Sequence, residues 1–392
     1  MSNWPLRKLS DVARLYGGST PARDNADFWN GDIPWISPTE LPMPGKGIQR
    51  INTTSERISQ KGLDSSAATL LPAGTVVFSS RATIGKIGIA EVPLATNQGF
   101  VSFVPSKELL PEFLAYALLV YTDSIAGLAG STTFKEVTRS SIRDVEIPVP
   151  PLTDQKRIIS LLHEADALLR LRAESNSLLE RLGSSVFFEM FGDPATNPKN
   201  WPRGVLGDVI HSAKDGPHVS PTYAESGVPF LSTRNVRAGH IVWDDLKYLS
   251  PDEAKIHWRK CKPERGDVLY TKGGTTGLAK AVDFDTEVAV WVHIAVLKTN
   301  LDKVDPVWLE GMLNTRHCYD QSQALTHGIA NRDLGLKRMI DIDLYIPPLE
   351  LQRVFSKRMA EISELETIQI NSRQQLNSLF HSLLQSAFRG EL

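Results

Sequence analysis

The sequence predicts an α+β chain: two β-rich mixed domains in tandem repeat, separated by two long helices that form an antiparallel intramolecular coiled coil. Three observations predict it. One long period runs through the chain, each half alternates short apolar runs with turn residues, and each half ends in a stretch with heptad spacing. At 392 residues two cores are expected, because single cores rarely grow beyond about 250–300 residues.

The period is read from matched segments. Trp4-Pro5 followed by Leu9-Ser10-Asp11-Val12 recurs as Trp201-Pro202 followed by Leu206-Gly207-Asp208-Val209, an offset of 201 − 4 = 197. Ile33-Pro34-Trp35-Ile36-Ser37 returns as Val228-Pro229-Phe230-Leu231-Ser232, and the run from Leu71 to Phe78 returns between Lys262 and Tyr270. Ile147-Pro148-Val149-Pro150-Pro151-Leu152 with Gln155 returns as Leu344-Tyr345-Ile346-Pro347-Pro348-Leu349 with Gln352, again 352 − 155 = 197. Four segments in the same order make coincidence a poor explanation. The boundaries expected are domains at 1–150 and 200–347, long helices at 151–192 and 348–392, and a linker at 193–199.

Inside each half, runs such as Thr75-Val76-Val77-Phe78 and Phe100-Val101-Ser102-Phe103-Val104 are broken by Gly, Pro, Ser and Thr, the pattern of strands joined by turns. Residues 111–120 and 306–313 each open on Pro, which suits the first position of a helix, and predict one short packed helix per half.

Residues 153–190 hold no Pro and one Gly. Leu161, Ala165, Leu168, Arg172, Ser175, Leu179, Leu182 and Val186 step by fours and threes, and Ile362, Leu365, Gln369, Ser372, Leu376, Leu379 and Leu383 repeat the seam. Leu161, Leu168, Leu179, Leu182, Ile362, Leu365, Leu376 and Leu379 are the expected helix–helix interface. Arg172, Ser175, Gln369 and Ser372 interrupt it at matched positions and read as register-setting polar residues. Since the first helix leaves the first domain and the second begins at the second domain, pairing makes them antiparallel, a rod of about 57 Å for 38 residues.

Bulk charge gives no sign of a phosphate-gripping surface. Lys and Arg balance Asp and Glu at 14 − 14 = 0 over residues 1–150 and 18 − 19 = −1 over residues 200–345, so any contact with nucleic acid rests on local clusters. Cys261 and Cys318 have no metal-ligand spacing and point to a reducing compartment, the cytoplasm. No apolar run is long enough to span a membrane.

The duplicated Leu-Ser/Gly-Asp-Val opening, Gly31-Asp32-Ile33-Pro34-Trp35-Ile36, the Pro-Pro-Leu-x-x-Gln helix start and the terminal Ala387-Phe388-Arg389-Gly390-Glu391-Leu392 resemble Type I restriction-modification specificity subunits. The resemblance covers essentially the whole chain. It implies two target-recognition domains, each reading one half of a split double-stranded DNA site, and paired helices that hold two methyltransferase (modification) subunits, to which endonuclease/translocase (restriction) subunits are added. It implies no cofactor and no catalytic residue in this chain, DNA methylation being a partner's work. Thr96-Asn97-Gln98-Gly99-Phe100 looks like a motif of these domains, whereas the second half carries Trp291-Val292-His293-Ile294-Ala295, so the two half-sites are expected to differ.

Base reading needs side chains that offer donors and acceptors to groove edges. Candidate DNA-binding residues are Ser79, Ser80, Arg81, Thr83 and Lys86 in the first half, with Thr271, Lys272, Thr275 and Thr276 in the corresponding loop of the second. The plainer alternative is a hydroxyl-rich turn that satisfies its own backbone. A second pair of loops supplies Thr132, Thr133 and Lys135, and Asn331 and Arg332. A third supplies Ser37 and Thr39, and Ser232, Arg234 and Asn235, the last two suited to guanine and adenine. Lys255, Arg259, Lys260, Lys262 and Arg265 form the only concentrated basic patch, which also fits a solvated charged face.

The glycine-rich loops lack the phosphate-loop pattern, since Ile87 follows Gly85-Lys86, and the nine histidines show no ligand spacing. A specificity subunit without catalysis is therefore the expectation. The rival reading is a duplicated coiled-coil scaffold that binds protein partners and reads no DNA sequence.

Overall fold

A computed structural model describes residues 4–129, 136–328 and 332–391. Thr132, Thr133, Lys135 and Asn331 lie outside the described residues. Chain contacts divide the protein into two compact units, Met1–Ala173 with Ser372–Leu392, and Glu174–Asn371.

In the first unit a five-stranded sheet runs in the order Ala13–Gly17, Phe100–Pro105, Val76–Ser79, Ile87–Ala90, Ile48–Ile51, and a three-stranded one in the order Glu56–Ile58, Trp29–Ile36, Ala95–Thr96. Alternation builds the core on both sides of the central strand. Val76 and Phe78 join one apolar cluster with Ile87, Ile89, Val101 and Phe103, while Val77 joins another with Phe100 and Ile51. Because both faces are covered, every residue of Val76–Ser79 is buried. The helix Pro111–Val120 packs on the first cluster through Phe113, Leu114 and Ala117.

The second unit repeats this plan. Its sheets run Ile210–Asp215, Ile294–Thr299, Val268–Thr271, Ala279–Ala281 and Tyr223–Ala224, Lys247–Leu249, Val228–Leu231, Ala289–Val290. Val268 and Tyr270 face one cluster and Leu269 the other, and Pro306–Leu313 takes the place of Pro111–Val120. In both units a terminal strand pair closes the domain beside its helix start, Leu6 opposite Pro148 and Arg203 opposite Tyr345, each member displaced by 197 residues (203 − 6 and 345 − 148).

Leu152–Phe191 and Leu349–Arg389 are continuous helices of 40 and 41 residues. Each contributes a segment to both units. In the second unit Gly183 lies against Met359, and the rings of Phe187 and Phe191 stand 5.6 and 5.5 Å from that of Phe355, so one helix ascends as the other descends. In the first unit Ile158 and Leu162 share a core with Leu384, Ala387 and Phe388, and Phe388 stands 4.9 Å from Phe113.

The packed stripe is not the seam the heptad count selects. Leu168, Leu182, Leu365 and Leu379 are exposed, at 52, 42, 49 and 63 %. Leu161, Leu179 and Leu376 are half-buried, and Ile362 is buried. The reason is that apolar residues stand side by side at 161/162 and 168/169, giving two stripes about 100° apart at 3.6 residues per turn. One stripe packs through Ile158 and Leu162 in the first unit and through Gly183, Phe187 and Met190 in the second, and Leu168, Leu182, Leu365 and Leu379 of the counted seam are left outward.

A fully buried glutamine explains the Pro-Pro-Leu-x-x-Gln pattern. The Gln155 amide donates to the Glu108 and Pro150 carbonyls at 2.8 Å each, and its oxygen accepts from Leu110 N–H at 2.9 Å. Gln352 does the same in the second unit, donating to Pro347 O at 2.8 Å and Lys303 O at 3.4 Å and accepting from Asp305 N–H at 2.8 Å. Leu110 and Asp305 are the caps of the short helices. The motif thus fastens each long helix to the helix packed on its sheet.

Candidate nucleic-acid interface

The loop after the central strand has one backbone design in both domains. Gly85 N–H donates to Ser79 O at 3.0 Å, Ser79 N–H donates to Lys86 O at 2.9 Å, and Ser79 Oγ accepts from Lys86 N–H at 2.8 Å. In the second domain Gly277 N–H donates to Thr271 O, Thr271 N–H donates to Leu278 O, and Thr271 Oγ1 accepts from Leu278 N–H, all at 2.9 Å. Ala82 and Gly274 share a left-handed φ of 58° and 67°, and Gly85 and Gly277 one of 99° and 92°. A side chain at either later position would be strained and would strike Thr122 or Ser322.

This design assigns structural work to several candidates. Ser79 and Thr271 are buried within the loop's own hydrogen bonds, and Ser80 and Thr276 are buried at 3 and 2 % exposure, so none of the four offers its hydroxyl to DNA. Thr276 accepts from Gln323 Nε2 at 3.2 Å. Lys86 is half-buried and donates to Pro38 O at 2.8 Å and Leu41 O at 3.1 Å, which ties the 37–41 turn to the loop. Ser37 and Thr39 hydrogen-bond each other at 2.6 Å on that turn. Arg81 is exposed and bonded to Glu136 at 2.7 Å, Thr83 is half-buried, and Thr275 is exposed.

Lys272 occupies the place of Ser80, as its backbone shows: Ser80 N–H donates to Gly99 O and Lys272 N–H to His293 O, both at 2.8 Å. Its buried ammonium reaches Asp333 at 2.8 Å and Asp215 at 3.4 Å, and Lys260 reaches Asp215 at 2.5 Å. Lys272 is therefore an internal ion-pair member. Burial raises the Asp215 pKa, but hydrogen bonds and charge from Lys260 and Lys272 outweigh it and hold the carboxyl below its usual value. A depressed folded pKa means stability present above the unfolded value and lost as pH falls through the folded one. Asp215→Asn is expected to cost on the order of 3 kcal/mol at pH 7, by stranding part of a buried pair, and to flatten the acid-side slope of stability in urea melts collected across pH 3–7.

Asn235 is also internal. Its side-chain oxygen accepts from Ser232 N–H at 3.0 Å and Ser232 Oγ–H at 2.9 Å, and its amide donates to Val242 O at 3.2 Å. It shapes the turn that leaves Arg234 exposed. Arg332 bonds to Gln323 at 2.5 Å. In the basic patch Lys255, Lys260, Lys262 and Arg265 each pair with an acid, Asp252, Asp215, Glu287 and Asp285, which leaves Arg259 as its exposed remainder among the described residues.

The structure brings the two halves' candidates into matched neighbourhoods. Asn97 N–H donates to Ile36 O at 3.0 Å and Trp291 N–H to Leu231 O at 2.9 Å, so Trp291 stands in the place of Asn97 rather than Thr96. Beside it lie Tyr223, Asp244, Asp245 and Lys247, which sequence reasoning missed. Their only sequence signal was the divergence at Trp291-Val292-His293.

Residues 1–181 match the family model described as Type I restriction modification DNA specificity domain. Over its full length the chain is 25 % identical to the Type I restriction enzyme MjaIX specificity subunit of Methanocaldococcus jannaschii, covering 94 % of that protein. It is 22 % identical to the Type I restriction enzyme EcoKI specificity subunit of Escherichia coli K12, with 99 % of this chain and 89 % of that one covered. Among solved structures it shares its fold with one from work on complex assembly and conformational transition of the type I R-M system, at a TM-score of 0.66, 19 % identity, and 99 and 98 % coverage. The S subunit from M. genitalium matches at 0.53 and 16 % identity, with 98 and 96 % covered. The repeat, the paired long helices and these likenesses agree: residues 1–181 match a Type I specificity domain, and over its whole length the chain is similar to Type I restriction enzyme specificity subunits.

Proposed function

We propose that the chain is the DNA-reading specificity subunit of a Type I restriction-modification complex, that each domain reads one part of a bipartite and asymmetric double-stranded site, and that it acts in the cytoplasm. The observation that carries this reading is the pair of segments with one backbone and different accessible side chains, Asn97 and Gln98 against Trp291 and Val292, with exposed His293 where the first domain has buried Gly99. The same scaffold presented twice with different surfaces suits two unlike half-sites. The chain performs no chemistry; two methyltransferase subunits, with endonuclease/translocase subunits added, supply it. The outward stripe on the long helices, with Leu168, Leu171 and Leu178 on one and Leu365, Ile368 and Leu379 on the other, supports their docking there. Among the described residues no helix is long and apolar enough to cross a membrane.

The test is expression with the partner methyltransferase and sequencing of the modified bases. An asymmetric motif in two parts is expected, absent from the strain lacking this chain. Methylation that persists without the chain, or a salt-labile footprint with no sequence preference, would favour the scaffold reading instead.

A further inference from the structure

The two domains treat one aromatic site differently. In the first domain Arg23 fills it, lying 4.0 Å over the Trp29 ring and 5.0 Å from that of Trp35 and held by an ion pair with Glu56. Phe230 takes the place of Trp35 in the second domain, since Trp35 pairs with Ala95 and Phe230 with Ala289 in the same parallel ladder. There Tyr223, Phe230 and Trp291 stand edge to face, 6.0 and 5.7 Å apart, around a cavity of about 450 Å³, a size that admits a small organic group. Among the described residues the cation seated on these rings is Lys247, 4.2 Å from Tyr223 and at the rim.

The rim is charged and balanced. Arg234 and Lys247 face the cavity together with Asp244 and Asp245, and all four are exposed. A phosphate site would carry a cationic surplus, and two carboxylates oppose it. Carboxylates accept from the amino group of cytosine, arginine donates to guanine O6 and N7, and an aromatic wall suits a base rather than a sugar-phosphate. The cavity neighbours the loop of the second domain through Trp291: its ring is 6.4 Å from that of His293, whose carbonyl accepts from Lys272 N–H at 2.8 Å and Gly273 N–H at 3.3 Å.

We propose that this cavity is the base-reading site of the second domain, with Asp244 and Asp245 accepting from a cytosine amino group and Arg234 donating to the paired guanine. It rests on the DNA-reading function proposed above. Its contribution is to the choice of sequence, and it adds little to salt-dependent affinity.

The test uses the complete complex. Asp244→Asn with Asp245→Asn, and separately Arg234→Gln, are expressed with the methyltransferase, and modified bases are sequenced genome-wide. All three positions are exposed, and thermal melting of the purified chain verifies that each variant folds. In the wild type a bipartite motif is expected, whose appearance establishes the underlying reading separately. In both variants a guanine–cytosine position in one half of the motif is expected to relax, with discrimination falling roughly tenfold or more, while the other half keeps its bases. The salt dependence of binding is expected to change little for the Asn variant. A motif unchanged in both halves by folded variants overturns the proposal and leaves the DNA-reading function standing. Loss of all methylation by a folded Asn variant also overturns it, because that places the carboxylates in assembly or affinity.

Discussion

Phe355→Ala is expected to cost about 3–5 kcal/mol, the range for truncating a buried aromatic whose surroundings cannot collapse. Phe355 is 2 % exposed and meets Phe187 and Phe191 edge to face, while Phe191 in turn meets Trp308 at 6.3 Å. The site cannot close easily, because Gly311 on the short helix already brings backbone against Phe187 and Phe355. For a unit of 371 − 174 + 1 = 198 residues this corresponds to a fall in Tm of roughly 10 °C. Phe355→Leu, which keeps most of the volume, should recover most of the loss. Leu168→Ala, on the outward stripe, should change the isolated chain by less than about 0.5 kcal/mol. Urea melts of the three variants check this, and a costly Leu168→Ala would restore the simple heptad seam.

Gln155→Leu is expected to cost about 3–5 kcal/mol although the position stays filled by a side chain. Three backbone groups, the Glu108 and Pro150 carbonyls and the Leu110 N–H, lose their buried partner, and each unsatisfied group costs about 1–3 kcal/mol, not fully additively. Gln155→Glu separates donor from acceptor. The carboxylate keeps the bond from Leu110 N–H but sets its other oxygen, in the place of Nε2, against both carbonyl oxygens, so its folded pKa is raised by burial and repulsion. A raised folded pKa makes the charged form the costly one, and the Glu variant should gain stability as pH falls from 7 toward 5 while the Leu variant does not. Paired melts at the two pH values measure the difference. A flat response of the Glu variant would show that the amide is dispensable as a donor.

Much of the architecture was legible in the sequence because duplication doubles every signal. The Pro-opened helices at Pro111 and Pro306 and the two long helices lie where periodicity puts them. The helix seam was misread, since a count of threes and fours cannot choose between adjacent leucines such as Leu161 and Leu162. That choice is made by what the helix packs against. The two candidate loops are legible as matched segments, but sequence does not rank the residues within them. Ser79, Thr271 and Asn235 look like contact residues in sequence, and only tertiary hydrogen bonds reveal that their polar atoms are spent on the backbone. Lys272 looks like a phosphate ligand until Asp215 and Asp333 arrive from 57 and 61 residues away (272 − 215 and 333 − 272). The aromatic cavity draws Tyr223, Phe230 and Trp291 from three separate segments, and no local pattern joins them.

The return of Ser372–Leu392 to the first unit has a consequence for how the chain matures on the ribosome. Domains generally fold as they are synthesised, N-terminal first. Here the order inverts: the second unit is one uninterrupted stretch, whereas the first lacks Leu384, Ala387 and Phe388 until the second unit has been made. Until then Phe113, Ile158 and Leu162 wait with an uncovered apolar face, so a nascent chain advertises its own incompleteness to chaperones until residues 384–388 emerge.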